Sequence, residues 1–149
     1  MEEFKKAAVY VMTSFTSPKK ADGNGIWVFE FPREGKPAYT ANGIVPLKGV
    51  TKNEANLLTL AAVLAKITEP VVLQVFIDDR WTADMINIHL PTWAANDFRK
   101  KDGEEIAHAG EWKQIYGCLK KHPVVTVQAT GGHSYRKWMM AELKRRKTA

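Results

Sequence analysis

Seven residues, Val71-Val72-Leu73-Gln74-Val75-Phe76-Ile77, form an almost unbroken apolar run that stops abruptly at Asp78-Asp79-Arg80-Trp81. A run so rich in β-branched and aromatic side chains predicts a strand covered on both faces, because such strands lose the apolar and polar alternation of a half-exposed one. In open α/β sheets, ligands and chemistry gather beyond the C-terminal strand ends. Asp78 and Asp79 are therefore the first candidates for a site. Asp79 serves equally well as the N-cap of a helix over Arg80 to Ile86, since Asp is favoured there; Asp78, the last strand residue, fits that part less well.

The rest of the chain supplies elements to place around this strand. Ala7 to Met12 reads as a first strand, Thr13 to Asn24 as a polar loop with Pro18 and Asp22-Gly23, and Ile26 to Phe31 as a second strand. A turn at Pro32 to Gly35 leads into a weaker third strand from Pro37 to Val45. Thr51-Lys52-Asn53-Glu54 opens a helix to about Ile67, with Thr51 as N-cap and Glu54 completing a capping box. After Asp79 come a short helix to about Ile88, a break at Pro91-Thr92, a basic stretch from Trp93 to Gly103, a helix from Glu104 to Lys120, a strand from Val124 to Ala129 and a last helix from Ser134 to Lys147. This order predicts an α/β domain: an antiparallel meander followed by parallel strands in one mixed sheet, with helices on its faces.

At 149 residues the chain fits one domain with a substantial core. No apolar run is long enough to span a bilayer and no secretory pattern follows Met1-Glu2-Glu3, so the expectations are a cytoplasmic location, no membrane contact and a monomer. Cys118 stands alone, which excludes an intrachain disulfide and a cysteine metal cage. The net charge of +6 is clustered at Lys19-Lys20, Arg99-Lys100-Lys101, Lys120-Lys121, Arg136-Lys137 and Lys144 to Lys147, a pattern that favours a polyanionic partner.

The element order and several strings together resemble the ribonuclease H family, in the bacterial type with a basic protrusion. Thr51-Lys52-Asn53 stands where that family has Thr-Asn-Asn at a helix start, and Ile77-Asp78-Asp79 where it has Thr-Asp-Ser. Trp81 takes the place of an aromatic after that motif; Trp93, Phe98 and Trp112 fall on tryptophan positions around the protrusion, which holds Arg99-Lys100-Lys101. Gly132-His133 resembles the Gly-His of a loop before the last helix. The stretch from Thr51 to Trp112 aligns without a gap, and the collinear spacing is more specific than any one string.

The resemblance implies a five-stranded ribonuclease H-like fold. It also implies cleavage of the RNA strand of RNA/DNA hybrids by two divalent ions, magnesium or manganese, held by four carboxylates. This chain preserves that set unevenly. The first acid falls within Met12-Thr13-Ser14-Phe15, best on Thr13 and next on Ser14; the second falls on Asn56; the third is Asp78. The fourth is Glu142 or, with the alignment shifted by one, Ala141. Asn56 shares a helical stripe with Leu60, Val63 and Ile67 and so points towards the sheet. Glu54 lies two positions away, roughly 200° round the helix, and already has a capping role, so it is a poor substitute. Neutral Thr or Asn oxygens ligate hard cations without the charge that holds two dications together, which leaves a single-ion site on Asp78, Glu142 and Asp79 as the alternative metal arrangement. His133 matches a histidine that assists product release or proton transfer.

For binding, the resemblance implies Thr51, Asn53, Arg80 and Trp81 against one strand, and Arg99, Lys100 and Lys101 against phosphates of the other. Trp93 and Trp112 read as core. Three functions follow. The first is a nucleic-acid-binding protein, for RNA/DNA hybrid or structured RNA, with a degenerate metal site: a pseudoenzyme. The second is an active hybrid endonuclease on a shifted acidic set of Asp78, Asp79, Glu142 and Glu54. The third is an inert scaffold for a protein partner.

Overall fold

In a computed structural model that describes residues 4–147, the chain runs through β1 (Lys6–Thr13), β2 (Ala21–Arg33), β3 (Lys36–Val50), α1 (Lys52–Leu64) and β4 (Val72–Ile77). It continues through α2 (Arg80–Asp84), a π turn (Met85–His89), α3 (Leu90–Ala95), α4 (Ala109–Leu119), β5 (Val124–Ala129) and α5 (Arg136–Lys147). The five strands make one mixed sheet in the order β3-β2-β1-β4-β5. β1, β2 and β3 pair antiparallel; β4 joins β1 in parallel, and β5 joins β4 in parallel. The expected meander followed by parallel strands is therefore the observed topology.

The central strand has an apolar layer on each side. Val9 and Val11 of β1 and Leu73, Val75 and Ile77 of β4 pack with Leu57, Leu60 and Val63 of α1 and with Trp112 and Ile115 of α4. The opposite face of β1 sends Ala8, Tyr10 and Met12 against Ile26 and Val28 of β2 and Met139 and Leu143 of α5. Burying one such aliphatic side chain contributes roughly 1.5–3 kcal/mol, so these two layers fix where the strand ends lie.

Several boundaries differ from the sequence reading, each for a local reason. β2 begins at Ala21, not Ile26, because the turn-forming residues Asp22 to Gly25 are recruited into the sheet. Ser14 N–H donates to Asn24 O at 2.9 Å and Asn24 N–H to Ser14 Oγ at 3.0 Å, while Gly25 gives Thr59 of α1 room to pack against β2. β3 likewise runs past Pro46 to Val50, which an edge strand tolerates because the missing N–H breaks no ladder on its outer side.

The helical stretch after Asp79 does not break at Pro91-Thr92. A π turn immediately before it sends Leu90 N–H to Met85 O, and Pro91 sits in the first turn of α3, where a prolyl nitrogen forfeits nothing. The helix expected from Glu104 starts only at Ala109. Phe98 to Lys100 and Glu104 to Ile106 instead form a small hairpin, with Lys100 N–H to Glu104 O at 2.7 Å and Ile106 N–H to Phe98 O at 3.0 Å. His108 then adopts a left-handed backbone that stops α4 from extending backwards.

Candidate functional site

The topology brings five chain segments to one edge of the sheet. β1 and β4 both run towards it, ending at Thr13 and Asp78, and β5 ends beside them at Ala129. Asp78 N–H donates to Val11 O at 3.1 Å and Thr130 N–H to Ile77 O at 3.0 Å, which seats Asp78 between the ends of β1 and β5. α1 starts at the same edge because β3 runs there, and Thr51 caps it with the expected box: Glu54 N–H donates to Thr51 Oγ1 at 3.2 Å and Thr51 N–H to Glu54 Oε1 at 3.4 Å. Lys52, Asp78, Asp79, Arg80, Ala129, Thr130 and Gly131 line an open depression of about 320 Å³ there.

The two adjacent aspartates have different partners. Asp79 is the N-cap of α2: its Oδ2 accepts from Thr82 N–H at 3.0 Å and from Thr82 Oγ1–H at 2.6 Å, and its Oδ1 lies 3.8 Å from Lys52 Nζ. Its side chain is only 7% exposed, so its oxygens face protein. Asp78 carries the open carboxylate, and that carboxylate faces a guanidinium: Arg136 Nη1 stands 3.1 Å from Asp78 Oδ2. Gly131 makes room for the contact, since a Cβ there would lie 1.9 Å from Arg136 Nη1 and 3.0 Å from Asp78 Cγ. Three cations, Lys52, Arg80 and Arg136, thus surround two carboxylates, though Arg80 also pairs with Asp84 at 3.5 Å.

His133 is turned away from solvent. Its ring packs on Tyr10 at 4.6 Å between centroids, its Nδ1 accepts from Tyr135 N–H at 3.2 Å, and its Nε2 is buried without a partner among the described residues. Burial, aided by the Arg136 cation and partly opposed by Asp78, holds its pKa below the usual imidazole value. Tyr135 hydrogen-bonds Glu30 through its hydroxyl; burial and that bond push its pKa up to about 12.

Other predicted positions scatter. Asn56 is buried as expected, its Nδ2 donating to Lys52 O at 3.1 Å and its Oδ1 left without a partner among the described residues. Thr13 Oγ1 accepts from Phe15 N–H at 3.3 Å. Ser14 is held by Asn24, and Ala141 is exposed. Glu142 pairs with Arg145 at 2.6 Å, a bond that holds its carboxyl below the usual range, and it does not line the Asp78 depression. Asn53 lies half-buried in the first turn of α1. Trp81 is half-buried against Trp112 at 6.1 Å, and Trp93 stacks on His89 and packs on Trp112, the latter as expected of a core residue. Arg99 bonds back to Gly103 O at 2.8 Å and stands 3.9 Å from Asp97; Lys100 and Lys101 are exposed. Within 97–105 these three cations meet four carboxylates, Asp97, Asp102, Glu104 and Glu105, so the hairpin is not a net basic surface.

No protein-family model matches the chain. A Pro-Pol polyprotein of Simian foamy virus type 3 (strain LK3) is 29% identical over 119 residues, 74% of this chain and 10% of that protein. A Ribonuclease H of Rickettsia bellii (strain RML369-C) is 21% identical over 75 residues, half of this chain and 48% of that protein. The chain thus spans about half the length of one curated relative and a tenth of the other. Among solved structures, a type 1 RNase H with the type 2 active-site motif superposes with a TM-score of 0.76 at 16% identity, over 97% of this chain and 73% of that one. The chain has a ribonuclease H-like fold. A foamy viral protease-reverse transcriptase solved in complex with RNA/DNA hybrid matches the same ribonuclease H fold with a TM-score of 0.68, at 16% identity, over 96% of this chain and 20% of that one.

For a ribonuclease H-like chain, the fit of the site to divalent ions is decided by its donors. Among the described residues no three His, Cys, Asp or Glu side chains gather where they would hold a metal ion. Asp78 is paired with Arg136, Asp79 is occupied as a cap, and Thr13 and Asn56 bring neutral groups. These residues do not fit a pair of dications. Sequence reasoning counted Arg136 only within a basic cluster and Lys52 only within a helix start, and placed neither them nor Gly131 beside Asp78; the signal was Gly131-Gly132 ahead of Arg136-Lys137, two glycines before a cationic pair at a helix start.

Proposed function

We propose that this chain binds nucleic acid, RNA/DNA hybrid or structured RNA, at the sheet edge around Asp78, and that two-metal hydrolysis is impaired or lost. The observation that carries the reading is the Arg136–Asp78 ion pair, supported by the clearance at Gly131. The Arg136 guanidinium pairs with the remaining open carboxylate, and with Lys52 it offers cationic donors to a phosphate, the group that dominates nucleic-acid affinity. The likeness to a foamy viral enzyme held on RNA/DNA hybrid supports hybrid as the first ligand to try. Magnesium or manganese enters only if hydrolysis persists, and nothing in the reading calls for a membrane or a protein partner.

A second reading, an active endonuclease on a shifted acidic set, draws support from the solved type 1 RNase H that carries the type 2 active-site motif, which implies that the fold accepts more than one active-site motif. Against it stand the existing commitments of Glu54, Asp79 and Glu142 as box, cap and ion-pair partner. Purified protein incubated with labelled hybrid in magnesium and in manganese separates the two. The expected result is salt-dependent binding with no cleavage. Cleavage that Asp78→Asn abolishes would overturn the proposal.

A further inference from the structure

On the β3 side of β1, the same sheet edge carries a second and larger hollow of about 610 Å³, lined in part by Ser14, Thr16, Ser17, Asp22, Lys48 and Arg146. Its position follows from the sheet: the end of β1, the start of β2 and the end of β3 all reach the edge at which Asp78 lies. The base is firm and apolar. Phe15 and Leu47 are buried over Ala55 of α1, and Ser14 exchanges hydrogen bonds with Asn24 across the β1–β2 connection. The rim is cationic. Lys48 and Arg146 come from different elements and are exposed; neither forms an ion pair among the described residues, although Arg146 lies within electrostatic reach of Glu142, and Lys19 and Lys20 are exposed on the adjoining loop. The one acid in the lining, Asp22, accepts Gly49 N–H at 2.8 Å.

We propose that this hollow binds the phosphodiester backbone of a nucleic-acid strand that continues along the sheet edge from the Asp78 depression. Cations and hydroxyls around the rim suit phosphate, an apolar base suits the sugar face, and the volume lies within the usual size range of ligand sites. Cations set on two separate elements suit an extended polyanion better than a single small anion. The inference rests on the nucleic-acid reading above and adds a site to it.

The test is fluorescence anisotropy of a labelled RNA/DNA hybrid over a salt series, for the intact chain and for Lys48→Gln, Arg146→Gln and the double variant. Both side chains are exposed, so circular dichroism should show unchanged folding. Each lost phosphate contact flattens the dependence of log K on log salt by about 0.9, so each single variant should lose about one unit of slope and the double variant about two. The loss should be the same for unrelated sequences. An unchanged slope in the double variant, with intact binding by the parent chain, overturns the hollow and leaves the Asp78 reading standing. Failure of the parent chain to bind hybrid or RNA overturns both. Inorganic phosphate at matched ionic strength that erases the difference between parent and variant identifies a single-anion site and overturns the strand proposal.

Discussion

Asn56 keeps one hydrogen bond and forgoes another: its Nδ2 reaches Lys52 O while its Oδ1 is buried with no partner among the described residues. An unsatisfied buried acceptor costs about 1–3 kcal/mol, and the helical carbonyl of Lys52 retains a main-chain donor without the side chain. Asn56→Leu is therefore expected to hold or raise the unfolding free energy by about 1 kcal/mol, read as an unchanged or higher urea midpoint. The inward direction of Asn56 was legible because a stripe with Leu60 and Val63 depends only on helical periodicity. The partner of Asp78 was not legible in the same way. Arg136 stands 58 positions away, and its reach is set by the path of the loop before α5 and by a missing Cβ at Gly131.

Between α1 and β2 the approach is close enough that a Cβ on Gly25 would lie 1.8 Å from Thr59 Oγ1. Thr59 is fully buried and tied to Ala55 O at 2.7 Å, so it cannot swing aside freely. Gly25→Ala should cost about 1–3 kcal/mol through overpacking, seen as a lower thermal midpoint with an unchanged helix spectrum. The same glycine explains why the beginning of β2 was hard to read. Asp22-Gly23-Asn24-Gly25 has the composition of a turn, yet its small residues are there for close packing within a sheet. The capping box at Thr51 and the Asp79 cap survived intact because they depend on neighbours a few residues apart. The apolar run did form β4, but the strand is not covered on both faces as expected: Leu73, Val75 and Ile77 are buried on one face, while on the other Gln74 is exposed and Val72 and Phe76 are half-buried. The start of α4 failed because a hairpin contact and a left-handed His108 overrode a favourable helical sequence.

Across the whole molecule, stability should depend on pH through buried imidazoles. His122 is buried, its Nδ1 accepts from Val71 N–H at 3.2 Å, and burial together with the Lys121 cation holds its pKa below 6.5. The unfolded chain binds a proton at the ordinary value, before the folded chain does. The stabilising contribution is thus complete above about 6.5 and is lost as pH falls towards the lower folded-state pKa. His133 shifts in the same direction and acts in the same sense. Chemical denaturation at about pH 7.5 and about pH 5 should show the loss, and His122→Gln should remove part of it. The net charge of +6 is likewise a property of arrangement more than of amount. The hairpin carrying Arg99 to Lys101 offsets its own cations with acids, whereas Lys52, Arg136, Lys48 and Arg146 are spread along one sheet edge. The topology could be inferred from element order; the strand register and this distribution could not, because they depend on how strands pair in space and on which loops meet at that edge.

The guanidinium at Asp78 also changes what the surroundings can do to the site. A dissociable counter-ion is present in proportion to its supply, is stripped by a chelator and is replaced by a competitor. A counter-ion borne on a side chain has none of these freedoms: its stoichiometry is one per chain from synthesis onward, and its charge persists across the physiological pH range. The stoichiometry of the charge at this edge is therefore written into the polypeptide and does not vary with the supply of any free ion, although added salt still screens the exposed pair.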